Sequence, residues 1–303
     1  MDLQCPYSIA GVEDASKVFP YRLPYTGIHF LDYFSCGMVA TFQGQLADRN
    51  AAEFLNYLFS CFLPTTLIFA IEALRPGVSK AISLPNLFLF IGQSGTAGII
   101  FPIYWAFYIV GGNVENRRNV PLSAVHLHEV VAAAFGFILG SVLPTLGMLQ
   151  LKNPYAVLIW QFFPLYAASF QYAYSKAVPP SKVFKSGFPL IRFLYIVSFI
   201  LSSSAHIAAV WPKITGLSWP SAFDLPCSNP SSISTSTVFL LHNFLKWDIV
   251  FFVGSFALAS LWFARSYKEL LGFVLWYAVA TPIFGPGSAV TGVFIYDDAV
   301  LSF

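Results

Sequence analysis

Residues 52–74 read AEFLNYLFSCFLPTTLIFAIEAL, and between Glu53 and Glu72 no side chain is charged. A helix needs about 20 mostly apolar residues to cross a hydrocarbon core, and this stretch supplies them. Similar stretches lie at about 26–44, 84–110, 125–149, 154–173, 187–211, 237–264 and 270–295. The surrounding composition agrees, with 57% hydrophobic, 18% aromatic and only 10% charged residues in a chain of 303. A soluble domain carries about 25% charged side chains, so a water-soluble enzyme is excluded. Disorder is excluded by the richness in Phe, Leu, Ile and Val. A net charge of +2 leaves no electrostatic footprint for nucleic acid. The fold class is therefore all-α: a polytopic transmembrane bundle of seven to eight helices over residues 26–295. Residues 1–25 precede it as a non-spanning segment, and residues 296–303 form a short tail.

Two of the stretches are irregular. The first carries His29 and Asp32 and reads equally as an interfacial or re-entrant segment. The last contains Pro282, Gly285, Pro286 and Gly287 and is expected to break midway. Residues 1–25 have no apolar core of the kind a cleavable signal needs, so the mature chain is expected to begin near Met1. Cys5, Cys36, Cys61 and Cys227 have no metal-like spacing, and Cys36 and Cys61 read as small buried hydrophobes. If all eight stretches span, eight Lys and Arg fall on one side and six on the other. That bias is too small to orient the chain. No internal repeat is visible, and the last stretch has no broken counterpart in the first half. This weighs against a secondary transporter.

An ionisable group at bilayer depth costs several kcal/mol, so each is a functional candidate. With eight alternating spans, Asp32, Glu72, Gln93, Gln161, His206 and Asp248 share the half nearer the N-terminal side, which implies one polar-floored pocket. Each also has a structural reading. Glu72 precedes Arg75 by three residues, which suits a helix-end ion pair. Gln93 and Gln161 suit interhelical hydrogen bonds, and His206 suits a bond to a neighbouring helix. Asp248, between Trp247 and Phe251–Phe252, is the hardest to explain by structure alone. At the other end of the depth scale, His126, His128, Glu129 and Arg192 are shallow enough to reach the interface. His126 and His128, two apart, share no helix face.

A carboxyl buried among apolar rings resists ionisation, because its charged form loses hydration, and such a group can serve as a general acid. Aromatic faces stabilise cations. An acid, apolar walls and access from a bilayer together suit proton-triggered cyclisation of a lipid-soluble polyene.

Specific residues then bring a resemblance. Ile71-Glu72-Ala73-Leu74-Arg75-Pro76-Gly77 is followed by a stretch carrying Gln93, Gly95, Pro102 and Tyr104. Later come Ala205-His206-Ile207 and Phe244-Leu245-Lys246-Trp247-Asp248. This succession resembles the fungal integral-membrane terpene cyclases of meroterpenoid pathways, especially the ascofuranone and macrophorin types. It is more distantly similar to the paxilline and pyripyropene types. The resemblance covers residues 25–295 or so and implies a helical bundle without metal or cofactor in a membrane, with the endoplasmic reticulum expected. The implied substrate is a prenylated, often farnesylated, aromatic or polyketide-derived lipid whose terminal epoxide or alkene is protonated. A prenyltransferase and an epoxidase would be functional neighbours. The two acids essential in the short paxilline and pyripyropene types would fall on Asp248, as proton donor, and Glu72, sharing the proton or taking part in the final deprotonation. Asp32, Gln93, Tyr104, Trp105, His206 and Trp247 would orient substrate or shield the cation. Asp32 and His206 have no match in the short types, and the Ser/Pro-rich loop 212–236 is longer than those types need. The DDxxD and DxDD motifs of soluble cyclases are absent, Asp297-Asp298 being the only Asp-Asp pair. Two other classes compete: a small-solute or lipid transporter, and a sterol-isomerase-like membrane enzyme.

Overall fold

The computed structural model describes Cys5 and residues 20–215, 226–229 and 237–301. Most of segment 1–25 and of loop 212–236 lies outside those residues, as do residues 302–303. The described chain is helical: α1 (His29–Ala47), α2 (Arg49–Glu72), α3 (Pro85–Ser94), α4 (Ala97–Val110) and α5 (Asn113–Asn119). These are followed by α6 (Leu127–Leu151), α7 (Pro154–Gln161), α8 (Phe163–Ala177), α9 (Phe188–Thr215), α10 (Thr237–Leu261), α11 (Tyr267–Phe284) and α12 (Pro286–Leu301). The all-α expectation holds. Four helices are long and apolar enough to cross a membrane: α2, α6, and the bulk of α9 and α10. A fifth arises if α4 and α5, bent by 61°, count as one span. That is fewer than the seven to eight expected: two stretches fold as helical hairpins, 154–173 is split at Phe162 into α7 and α8, and 26–44 gives α1, which is not among the spans.

The stretch 84–110 is not one span. Gly95 and Thr96 leave helical geometry, with φ/ψ of −111°/−93° and −158°/134°, and α4 folds back along α3. Phe88 and Tyr104, equidistant from the turn, stack edge to face at 5.1 Å. At the base, Asn113 Oδ1 accepts from Ser79 N–H at 2.9 Å, so the hairpin enters and leaves at one end of the bundle. The last stretch does the same at Gly285, whose φ of 89° suits glycine. Trp276 donates to Ala289 O at 2.8 Å, and Phe273 meets Tyr296 at 5.9 Å. The broken counterpart missing from the sequence reading thus exists in α3–α4, and that argument against a transporter falls. Residues 296–301, read as a tail, continue α12.

Both hairpins start from the end of the bundle that holds Glu72, called here the cluster end. α1 lies across the opposite, far end. Tyr25, just before it, packs at 5.7 Å on Tyr155 at the start of α7. Near its other end Gln45 donates to Val238 O, at the start of α10, at 3.0 Å. Both partners sit at the far end, so α1 covers that end, as its interfacial reading allowed. Cys36 is buried there but is not a free thiol: it is disulfide-bonded to Cys5. α6 carries a π turn at Ile138–Val142. α7 and α8 run antiparallel to α6, offset by a kink at Phe162, and pack backbone to backbone at Gly136 and Gly140. A Cβ on Gly140 would meet Ala167 N at 2.2 Å.

Candidate functional site

A cavity of about 460 Å³ lies beneath α1, within the size range of small-molecule sites. Its roof is Phe34, Met38 and Phe42 of α1, spaced to share one helix face. Phe59 and Phe62 of α2 with Trp160 and Phe163 give it aromatic walls. Its polar floor is the α3–α4 turn, since Gly92 through Ala97 all line it. Irregular backbone deep in an apolar bundle is tolerated where it is buried or faces a cavity, and here it does the latter.

Asp248 reaches this floor from α10. Its Oδ1 accepts from Gly98 N–H at 2.6 Å and from the Thr96 hydroxyl, so the carboxyl sits on the N-terminus of α4. Free amides and the helix dipole make that a favourable seat for a carboxyl oxygen. The close approach requires glycine, because a Cβ on Gly98 would stand 2.9 Å from Asp248 Oδ1. Gln93, also on the floor, donates to Gln161 Oε1 at 2.5 Å, which ties α3 to α7.

Glu72 lies elsewhere. It is fully buried at the cluster end, where Arg75 donates to Oε1 at 3.0 Å, Tyr108 donates to Oε2 at 2.7 Å, and Arg117 also pairs with it. Arg117 reaches Asp297 and Asp298, each at 2.7 Å, while its guanidinium lies 4.4 Å above the Phe263 ring. Arg265 pairs with Asp297. Three acids and three arginines thus knit α2, α5 and α12 together. α4 measures the gap between the two sites: Gly98 touches Asp248 and Tyr108 touches Glu72, ten residues or about 15 Å apart at 1.5 Å per residue. The shared pocket inferred from depth is therefore corrected. The depth count assumed that 84–110 crosses once, whereas it returns to the end it entered.

The chain matches the CtvD domain family over residues 9–301. It belongs to that family. Three curated proteins are similar to this CtvD-domain chain. A terpene cyclase, ascI, of Acremonium egyptiacum is 24% identical over 63% of this chain and 56% of its own length. A terpene cyclase, ctvD, of Aspergillus terreus is 23% identical over 66% and 57%. An FAD-dependent monooxygenase, verC1, of Penicillium polonicum is 22% identical over 78% of this chain but only 31% of its own. The chain spans between about a third and somewhat over half the length of these relatives. No solved structure matches. The resemblance to fungal terpene cyclases read from the sequence is borne out.

Of the residues singled out from sequence, Asp248 and Gln93 line the CtvD-domain cavity, with Gln161 directly behind Gln93. Tyr104 and Trp105 are buried between cavity and cluster, Tyr104 tilted against Phe69 at 4.1 Å and Trp105 edge to face with Phe256 at 4.9 Å. Neither the Tyr104 hydroxyl nor Trp105 Nε1 has a hydrogen-bond partner among the described residues. His206 abuts the second hairpin turn at Gly285. Its Nε2–H donates to Pro282 O at 3.1 Å, and Tyr57 donates to Nδ1 at 3.0 Å. Trp247 donates to Cys227 O at 3.2 Å. Asp32 accepts from Thr26 N–H at 2.6 Å and braces the turn before α1. His126 and Glu129 form a capping box at the start of α6. Among the described residues, no three His, Cys, Asp or Glu side chains are grouped to hold a metal ion.

Sequence reasoning missed Arg117 as a partner of Glu72, and Asp297 and Asp298 as the acids that pair with the same arginine. The usable signal was charge balance. Adjacent acids at the end of an apolar segment cannot be buried without arginines beside them.

Proposed function

We propose that the chain is a membrane-embedded terpene cyclase acting without a metal. It protonates the terminal epoxide or alkene of a prenylated, farnesyl-length aromatic or polyketide-derived lipid and guides the resulting carbocation to ring closure. The observation that carries this reading is Asp248 on the polar floor of an aromatic cavity, in a chain similar to two terpene cyclases.

The division of labour follows from the geometry. Asp248 is the proton donor. Thr96 and Gly98 hold one of its oxygens, leaving the other to deliver the proton to the substrate terminus. General acids of this kind contribute about 10²–10⁴-fold to rate. Phe59, Phe62, Trp160 and Phe163 present ring faces to the cation as it migrates, and the apolar walls keep water from quenching it early. Gln93, held by Gln161, borders the reacting end. Glu72 acts at a distance as a positioning residue, because it fixes the end of α4 through Tyr108 while the start of α4 seats Asp248.

The reading is tested by supplying an epoxidised farnesyl-arene to a host expressing the protein. A cyclised product is expected from wild type and its loss from Asp248→Asn. Unchanged product from the variant overturns the assignment.

A transporter is the second reading, favoured by the paired re-entrant hairpins, a device carriers use to build sites. Turnover by purified protein in detergent, where no two compartments exist, decides for the enzyme. A product isomerised but not cyclised would instead indicate an enzyme of the sterol-isomerase type.

A further inference from the structure

Apart from its floor, the cavity carries hydroxyls at Tyr33 and Thr41 of α1, Thr66 of α2, and Ser141 and Thr145 of α6. Thr41 and Thr66 donate to carbonyls of their own helices, and the α6 pair lies where the backbone is irregular. There the helix widens into the π turn at Ile138–Val142, a local insertion often found at functional sites. Ser141, inside that turn, and Thr145, one turn further on, both line the cavity. The two hydroxyls differ in what they have left to offer. Thr145 is engaged, donating to Ser141 O at 2.7 Å and accepting from Trp160 Nε1–H at 3.0 Å. The Ser141 hydroxyl makes no hydrogen bond among the described residues, although Ser141 is only 7% exposed.

The wall that carries it is rigid. Gly136 and Gly140 place α6 against the α8 backbone so closely that a Cβ on either would meet Ala167 at 2.4 Å or less. Trp160 pins Thr145 from α7. α6 therefore holds Ser141 fixed at the edge of the cavity. A cavity-facing hydroxyl with no protein partner is available to a ligand oxygen. Asp248 and Thr96 belong to the floor, where α4 meets α10, so Ser141 and Asp248 line the cavity from different elements.

We propose that Ser141 binds the oxygenated head of the substrate, a phenol or carbonyl oxygen, and so determines which end of the polyene reaches Asp248. The inference rests on the cyclase reading and adds the recognition of the non-reacting end. A polyene tail alone has no feature that would stop it entering reversed. An oxygen on the head, paired with Ser141, makes one orientation better than the other by the strength of one neutral hydrogen bond. That corresponds to a factor of about 3–10 in affinity.

The test uses binding rather than turnover. The purified full chain is titrated with a farnesylated phenol and with the matching farnesylated arene that lacks the hydroxyl. Wild type is expected to bind the phenol about 3- to 10-fold more tightly. Ser141→Ala is expected to bind both probes equally, at the affinity wild type shows for the arene. Asp248→Asn is expected to keep the wild-type preference, which separates recognition of the head from protonation. Ser141→Cys, of similar size but a weaker donor, provides a folded comparison with an intermediate preference. Equal binding of the two probes by wild type, or a preference that survives Ser141→Ala, overturns the inference and leaves the cyclase reading standing. Failure of wild type to bind either probe overturns both.

Discussion

Asp248 gains its place from a neighbour that has no side chain. Gly98 lets the carboxyl approach the first amides of α4, and Gly98→Ala would press a methyl to 2.9 Å from Asp248 Oδ1 and 3.1 Å from its Cα. The expected result is a loss of about 1–3 kcal/mol in stability together with most of the activity, checked by thermal unfolding and product yield. Asp248→Asn keeps the Oδ1 acceptor for Gly98 and Thr96, so it should unfold near the wild-type temperature while cyclisation falls about 10²–10⁴-fold. Glu72→Gln should behave in the opposite way. It leaves Arg75 and Arg117 short of a buried counter-charge, a change worth about 3–5 kcal/mol. Yield and melting temperature should drop, while the folded fraction keeps a larger share of its rate than Asp248→Asn does. Asp248 was legible in the sequence because a lone acid among rings has few structural explanations. The distance of Glu72 from it was not legible, because depth along the chain becomes depth in the bundle only once every crossing is known.

At the scale of elements, the through-going helices were readable and the hairpins were not. α2, α6, α9 and α10 announce themselves by long uncharged runs. The α3–α4 hairpin hides in an equally apolar run whose break is only Gly95-Thr96, a weak signal beside Pro282, Gly285 and Pro286 in the second hairpin. Pro102, the stronger sequence cue in that first run, lies inside α4. The π turn in α6 leaves no mark in hydrophobic periodicity at all. Its fixed position depends on small residues facing α8, so Gly140→Ala, with its Cβ 2.2 Å from Ala167 N, should lower the melting temperature by several degrees. It should also reduce discrimination at the substrate head, since Ser141 is the next residue.

For the molecule as a whole, the hairpins revise which charges lie at which end. Lys80, Arg118, Lys176, Lys182, Lys185 and Lys268 belong to the cluster end, and Arg22, Arg49 and Lys152 to the far end. By the positive-inside rule this asymmetry predicts a cytosolic cluster end. The Cys5–Cys36 disulfide at the far end fits an oxidising compartment there. In sealed microsomes, a cysteine placed at Lys182 should therefore react with an impermeant maleimide, whereas one at Lys152 should react only after permeabilisation. The reverse pattern would reject this orientation. The cavity beneath α1 and the ionic cluster beyond α4 thus lie apart in one bundle; on the proposed reading the first carries the chemistry and the second holds α4 in place. The most direct measurement compares initial rates of wild type, Asp248→Asn and Glu72→Gln, purified in detergent and given an epoxidised farnesyl-arene. The account predicts cyclised product from wild type, a rate at least about 100-fold lower for Asp248→Asn at unchanged melting temperature, and the larger residual rate for folded Glu72→Gln. Wild-type turnover by Asp248→Asn would contradict it.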